Sequence, residues 1–428
     1  MLVRLRGAMR CSGVALIGVL VATESAAARP ASGPAAVRAY IAARSRETVS
    51  RAPRGVIPAW ARKYNMNCSS CHYPAAPRLN ATGIAFKWAG YRMPEEIGEK
   101  ADLGPIANYL AVRGKVGYEV DKTSGEPASR SQLTQPNVTV FYSGSVGRNY
   151  SANVEFARDA EGVEASIQVG TIWGRAGSFG GVRVGKGHWL ANAGVAGFDR
   201  ATGILSPTPV AGVTTSAVPF TFVGDQLAVE AYYVRGRNRV AIQMLNGVRP
   251  VGADPVMDDT KHDVAAIEQL LLDSRGSALT AIGYVGHIVG LSPSAPEVNS
   301  RFYRMAVSAN KIFSDVELLG GWIYSKDERL PIGQGSPFTL PSVRGTAWWL
   351  SGQYHVPKSP LTWFTRFEFV DPDRASPDDA GRRFLLGGIL TANTPENLRL
   401  GLEYGVDTRQ GIGSVKQHLL RLELMLNF

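Results

Sequence analysis

Residues 418–428 read HLLRLELMLNF. Leu420, Leu422, Leu424, Leu426 and Phe428 share one face of an extended strand, while Arg421, Glu423, Met425 and Asn427 fall on the other. A helix would scatter these leucines around its axis, because residues two apart lie on nearly opposite sides of it. In a strand the same spacing gives one apolar face and one mostly polar face. Immediately upstream, Leu398, Leu400, Leu402, Tyr404 and Val406 oppose Arg399, Gly401, Glu403 and Gly405. Repeated apolar/polar dyads over about ten residues are the signature of a transmembrane β-barrel, with lipid on one face and a lumen on the other.

Working back along the chain, Trp363, Phe367 and Phe369 oppose Arg366 and Glu368, and Tyr150, Ala152, Val154 and Phe156 oppose Ser151, Asn153 and Glu155. Sixteen segments follow, near 109–120, 137–146, 149–158, 163–173, 179–189, 226–234, 239–246, 261–272, 277–288, 301–309, 315–324, 346–356, 361–370, 382–391, 397–406 and 416–428. Those at 179–189 and 261–272 alternate weakly, which leaves the count open by two strands. Short connections such as 147–148, 235–238 and 357–360 take turns with longer polar ones such as 121–136, 190–225 and 325–345. An even count puts both chain ends at the short-turn end, the periplasmic side of bacterial barrels. A soluble sandwich or propeller needs more connecting structure than such turns provide. The expected fold is therefore mainly β: a roughly 16-stranded outer-membrane β-barrel over 108–428, bounded by outer-membrane lipid.

Composition agrees. Of 428 residues, 45% are apolar and only 19% charged, below the roughly 25% charge of soluble domains and unlike disorder or a coiled coil. Three Cys cannot form a disulfide scaffold. The net charge of +10 is concentrated before the barrel, with eight Lys/Arg against Glu47 in 29–67, and from residue 68 onward the chain is close to neutral. No basic face remains to track a phosphate backbone, so a nucleic-acid partner is not expected.

The N-terminus has the form of a secretory signal peptide over 1–28: Arg4, Arg6 and Arg10, then an apolar run at 11–23, then small residues at 25–28. That run is shorter than the roughly 20 residues a membrane helix needs. A basic spacer, 29–55, follows. Removing the leader removes Cys11 and leaves Cys68 and Cys71, both within Cys68-Ser69-Ser70-Cys71-His72. A CxxCH run offers two thiols to the two vinyl groups of a haem and a His to its iron. Zinc would need a second Cys pair, and a thioredoxin-like dithiol would need a βαβ setting. The segment 56–107 is thus expected to be a small α-helical module carrying one covalent haem c, with His72 as proximal iron ligand. Candidates for the distal ligand are Met93, followed by the rigid Pro94, then Met66, or a His among His188, His262, His287, His355 and His418. About 50 residues is little to bury a haem, so the module should borrow wall from the barrel.

The stretch 57–91, IPAWARKYNMNCSSCHYPAAPRLNATGIAFKWAGY, resembles the haem segment of the fused monohaem cytochrome–porin family, the outer-membrane iron oxidases. The shared features are Pro58, Trp60, Ala61 and Arg62 leading into CxxCH, then Pro77, Leu79, Asn80, Gly83, Phe86, Gly90 and Tyr91. Trp60 stands where Phe is usual, and the basic spacer is unusually long. The close match spans about 35 residues; beyond them only the architecture corresponds. The resemblance implies an oxidoreductase that takes an electron from extracellular Fe(II) and passes it through the haem to a periplasmic cytochrome or other carrier. The module would sit at the periplasmic mouth or in the lumen. Carboxylates suit the approach of Fe(II), and the loops offer Asp254, Asp258 and Asp259, Asp327 and Glu328, or Asp371, Asp373, Asp378 and Asp379. Two other readings stay open: a porin whose haem is redox-active, and an electron conduit for another extracellular donor or acceptor.

Overall fold

A computed structural model describes residues 59–66, 70–72, 78–101, 106–158, 162–190, 220, 222, 224–247, 262–289, 299–328, 330–331, 339–340, 342–376, 378–391, 398–409 and 415–427. The leader, the spacer, Cys68 and Phe428 lie outside them. Eighteen strands follow two short helices, α1 (Ala59–Tyr64) and α2 (Ala81–Trp88). They are β1 (Leu110–Thr123), β2 (Arg130–Ser145), β3 (Tyr150–Arg158), β4 (Val163–Arg175), β5 (Ser178–Gly187), β6 (Gln226–Arg235), β7 (Asn238–Leu245), β8 (Asp263–Leu271) and β9 (Ala278–Val289). Then come β10 (Asn299–Phe313), β11 (Val316–Asp327), β12 (Leu330–Pro331), β13 (Thr339–Leu340), β14 (Val343–His355), β15 (Leu361–Asp371), β16 (Gly381–Thr391), β17 (Leu398–Arg409) and β18 (Val415–Asn427). The pair β12–β13 is a small hairpin within one connection, and the other sixteen close into one antiparallel barrel, β1 against β18. Closure leaves no unpaired edge, the condition a sheet must meet to span lipid. No helix among the described residues is long and apolar enough to cross a membrane.

The weakly alternating segments 179–189 and 261–272 are strands β5 and β8, so the count of sixteen holds. One expected loop does not. The span 121–136 is mostly strand: β1 runs to Thr123 and β2 begins at Arg130. Pro136 suggests a break because it cannot donate to the ladder. The register instead shifts between Lys115 and Gly117, opposite Asn137 and Thr134. This bulge absorbs the proline and lets β2 continue.

The apolar face points outward. Leu420, Leu422 and Leu424 are exposed, as are Leu398, Leu400, Leu402 and Tyr404 on β17. Two rings of exposed aromatics bracket this surface. Tyr150, Trp173, Tyr233, Phe313, Tyr354 and Trp363 lie toward the short-turn end; Tyr118, Phe156, Trp322, Trp348, Phe384 and Tyr404 lie toward the loop end. An apolar band between aromatic girdles matches the two interfaces of a bilayer.

Described residues pack against the inner wall at both ends of the barrel. Trp60, Arg62 and Arg92 hold the described residues before β1 against the wall at the short-turn end. Trp60 donates its indole N–H to the Ser143 carbonyl, and Arg62 donates to the carbonyls of Ala107 and Leu110. Arg92 holds the carbonyls of Arg148 and Tyr150. From the other end, residues flanking the β5–β6 connection turn inward: Trp189, Leu190, Phe220 and Phe222 are all at least 97% buried. Phe220 packs on Tyr284 and Phe302, with the Arg304 guanidinium over its ring.

Candidate functional site

The CxxCH segment is shaped by the loop and helix that follow it. Asn80 caps α2, its side-chain oxygen accepting from the Gly83 N–H at 3.1 Å. The same side chain donates to the Ser70 carbonyl at 3.1 Å, and the Asn80 N–H donates to the Cys71 carbonyl at 2.9 Å. One asparagine thus starts the helix and ties the CxxCH loop to it. Gly83 completes the joint, since a Cβ at this position would collide with the Cys71 carbonyl. The spacing of Leu79, Asn80 and Gly83 after CxxCH therefore has a local physical reason: it lets the loop lie flat on the first turn of α2.

His72 and Leu79 form an isolated antiparallel bridge, and His72 Nδ1 lies 3.1 Å from the Arg78 carbonyl oxygen. A carbonyl can only accept, so Nδ1 carries the proton and Nε2 presents the lone pair. A metal-bound imidazole is oriented in this way by the hydrogen bond of its other nitrogen. Arg78 is anchored in turn. Its guanidinium meets Glu317 of β11 at 2.5 Å, and Glu317 also accepts from Asn310 and Gln353. On the wall, Gly276 has φ +98° and presses against the backbone of Asn80. Only glycine adopts that φ without strain while allowing so close an approach.

Aromatic side chains form a cluster between the helices. Trp60 stacks on Tyr91 with centroids 5.5 Å apart and meets Phe86 edge-on at 5.3 Å; Tyr64 also meets Phe86 edge-on. Met93 begins a 3-10 turn, its N–H on Glu96 Oε2, the carboxylate that also accepts the Tyr64 hydroxyl at 2.6 Å. Met66 closes α1, donating to the Ala61 carbonyl. The candidate wall histidines are dispersed. His188 stands beside Asp225 after β5, and His355 meets Thr362. His418 bonds the Tyr404 hydroxyl on the outer face.

Further along α2, Lys87, Trp88 and Tyr91 share a small cavity with Arg183, Trp189, Glu230 and Arg239 of the barrel. Glu230 pairs with both Arg183 and Arg239 and accepts from Gln243 at 2.7 Å. Buried charges such as Glu230 and Arg239 survive only when paired and hydrogen-bonded. Among the loop carboxylates, Asp327 is no solvated acid: it is wholly buried in an ion pair with Arg304 at 2.5 Å. Asp379 accepts from the Asp373 N–H, and Asp254, Asp258 and Asp259 lie outside the described residues. Nothing in sequence spacing signalled the burial of Trp189, Leu190, Phe220 and Phe222 or the Arg78–Glu317 anchor.

Solved structures with this architecture include OmpF of Salmonella typhi, in complex with daunomycin (TM-score 0.51, 11% identity, 74% of this chain and 97% of that one). OmpT, an outer membrane protein of Vibrio cholerae, aligns at TM-score 0.50 and 11% identity over 74% of this chain and 97% of its own. The outer membrane channel DcaP of Acinetobacter baumannii aligns at 0.50 and 12%, over 75% and 96%. The barrel has the porin fold. With its apolar band and two girdles, this porin-like barrel belongs in the outer membrane. No protein-family model and no curated protein matches the sequence.

Proposed function

We propose that this porin-like barrel is an electron-transfer protein that oxidises extracellular Fe(II) and delivers the electron to a periplasmic carrier, using one haem c on Cys68, Cys71 and His72. The observation that carries the reading is His72 Nδ1 on the Arg78 carbonyl, with Arg78 pinned to Glu317 of the wall. Cys71 and the His72 nitrogen that would serve as proximal ligand then lie beside a segment pinned to β11 near the short-turn end. The bound haem supplies a one-electron couple, and Met93 is our choice for the thioether that raises its potential. Asn80 and Gly83 hold the attachment loop, Arg78 orients the imidazole, and Arg92 and Trp60 fix the segment to the wall. Fe(II) as donor rests on the sequence resemblance. Oxidising it outside the cell keeps insoluble Fe(III) out of the periplasm.

The porin fold favours a second reading, a channel with a redox-active haem. One preparation separates the two. Fe(II)-dependent haem reduction with little single-channel conductance in planar bilayers is the result expected for the electron-transfer protein. Porin-like conductance without reduction supports the channel.

A further inference from the structure

We infer that Glu164, His188 and Asp225 form a binding site for a first-row divalent metal ion at the loop end of the barrel. The three side chains come from neighbouring strands. Glu164 is the second residue of β4, His188 directly follows β5, and Asp225 directly precedes β6. The register sets Lys186 opposite Ile167 and Gly187 opposite Gln226, which brings the three ends together. One ligand atom from each residue lies within 4.8 Å of the other two. Small side-chain rotations close that spacing onto one ion with bonds of about 2.0–2.2 Å. Two carboxylates and an imidazole suit Mn(II), Fe(II) or Zn(II) better than the purely oxygen-seeking Ca(II) or Mg(II).

A second observation points to a cation here. The Asp225 side chain is only 11% exposed, and its two oxygens are shut off from solvent and accept no hydrogen bond. Buried carboxylates normally find donors. The groups nearest it are the His188 imidazole, Nδ1 at 3.3 Å, and Lys186 Nζ at 3.6 Å on a half-exposed side chain. Glu164 adds a second negative charge to the same spot. Two ionised carboxylates facing one another repel, and either a shared proton or a cation between them relieves that repulsion. Glu164 is exposed and His188 is 41% exposed, so an ion has a path in from solvent.

The inner side of the site adjoins a cavity lined from the end of α2. Trp189, the residue after His188, is 3% exposed and lines the same cavity as Trp88 and Tyr91. If the ion is Fe(II), an assignment resting on the function proposed above, these rings lie on the side from which an electron would leave toward α2. The metal site itself stands on the geometry of its three ligands.

Mn(II) titrated into the full-length protein in detergent micelles, with free ion followed by electron paramagnetic resonance, tests the site. One saturable equivalent is expected. His188→Ala and Asp225→Asn should each weaken it at least about tenfold, and Asp273→Asn, at the opposite end, should leave it unchanged. A gel-shift assay of the unheated barrel verifies folding; if either variant misfolds, Glu164→Gln at its exposed position replaces it. No saturable binding by the wild type, or unchanged binding in the ligand variants, overturns the proposal. Mn(II) binding needs no electron transfer. Binding with an Fe(II)-inert haem therefore sinks the functional reading alone, and haem reduction without binding sinks the site alone.

Discussion

The Arg78 guanidinium meets the Glu317 carboxylate at 2.5 Å, with side-chain exposures of 8% and 0%. These residues lie 239 positions apart, yet the pair fixes the backbone carbonyl that orients His72. Removing one partner of a buried pair strands the other charge, at a cost of roughly 3–5 kcal/mol. Glu317→Gln and Arg78→Ala should each loosen 70–88 from the wall while the barrel persists. Limited proteolysis should cut that segment in both variants before the strands, and haem yield should fall.

Gly83→Ala places a methyl group against the Cys71 carbonyl. Covalent haem, read from the pyridine haemochrome spectrum, should drop sharply. Asn80→Ala loses the α2 cap, worth about 1 kcal/mol, together with the bond to Ser70, and should give an intermediate yield. Haem yields equal to wild type in both would mean that the joint does not govern attachment.

Lys87 carries a pH signature. Burial, then the nearby Arg183 and Arg239, lower its pKa to about 7, with Glu230 opposing. An unfolded lysine titrates near 10.4, so between those values the undocked chain binds more protons than the docked one. Stability of the docked segment should therefore be lowest and flat below about pH 7 and should rise toward pH 10. Urea midpoints from intrinsic fluorescence at about pH 6, 7.5 and 9 check this, and Lys87→Met should flatten that trend.

Strand alternation carried most of the fold, because lipid on one side and a polar lumen on the other impose period two on every strand. Even the weak strands β5 and β8 keep enough of it to be counted. The reading of 121–136 as a loop missed the bulge at Pro136, because a register shift is set jointly with the partner strand and is not visible locally. The inward turn of Trp189 and Phe220 was equally hidden, since an apolar residue in a long connection reads the same whether it enters the lumen or not. In the candidate site, CxxCH and its following Leu-Asn-x-x-Gly were legible as a local unit. The Arg78–Glu317 anchor joins residues 239 positions apart, and the convergence of Glu164, His188 and Asp225 depends on the pairing register of β4, β5 and β6; neither is displayed by the local sequence.

Connection lengths set the orientation. A single Cys at Glu126, between β1 and β2, should react with a membrane-impermeant maleimide on intact cells; one at Ser359, between β14 and β15, should react only after lysis. Labelling at 359 but not 126 would reverse the topology and place the CxxCH segment at the outer mouth.

Ligation by Met93 is checked by Met93→Ala, which should lower the haem potential and remove the weak far-red thioether–iron band. If that band is present and survives, Met66 becomes the first alternative.

Stopped-flow mixing of the purified ferric protein with anaerobic Fe(II), followed at the haem α-band, tests Fe(II) oxidation most directly. The band should rise to full reduction within a catalytically useful time in the wild type, and His72→Ala should abolish that response. A wild-type haem that stays ferric in excess Fe(II) at the working pH would contradict Fe(II) oxidation and favour a channel or a different donor.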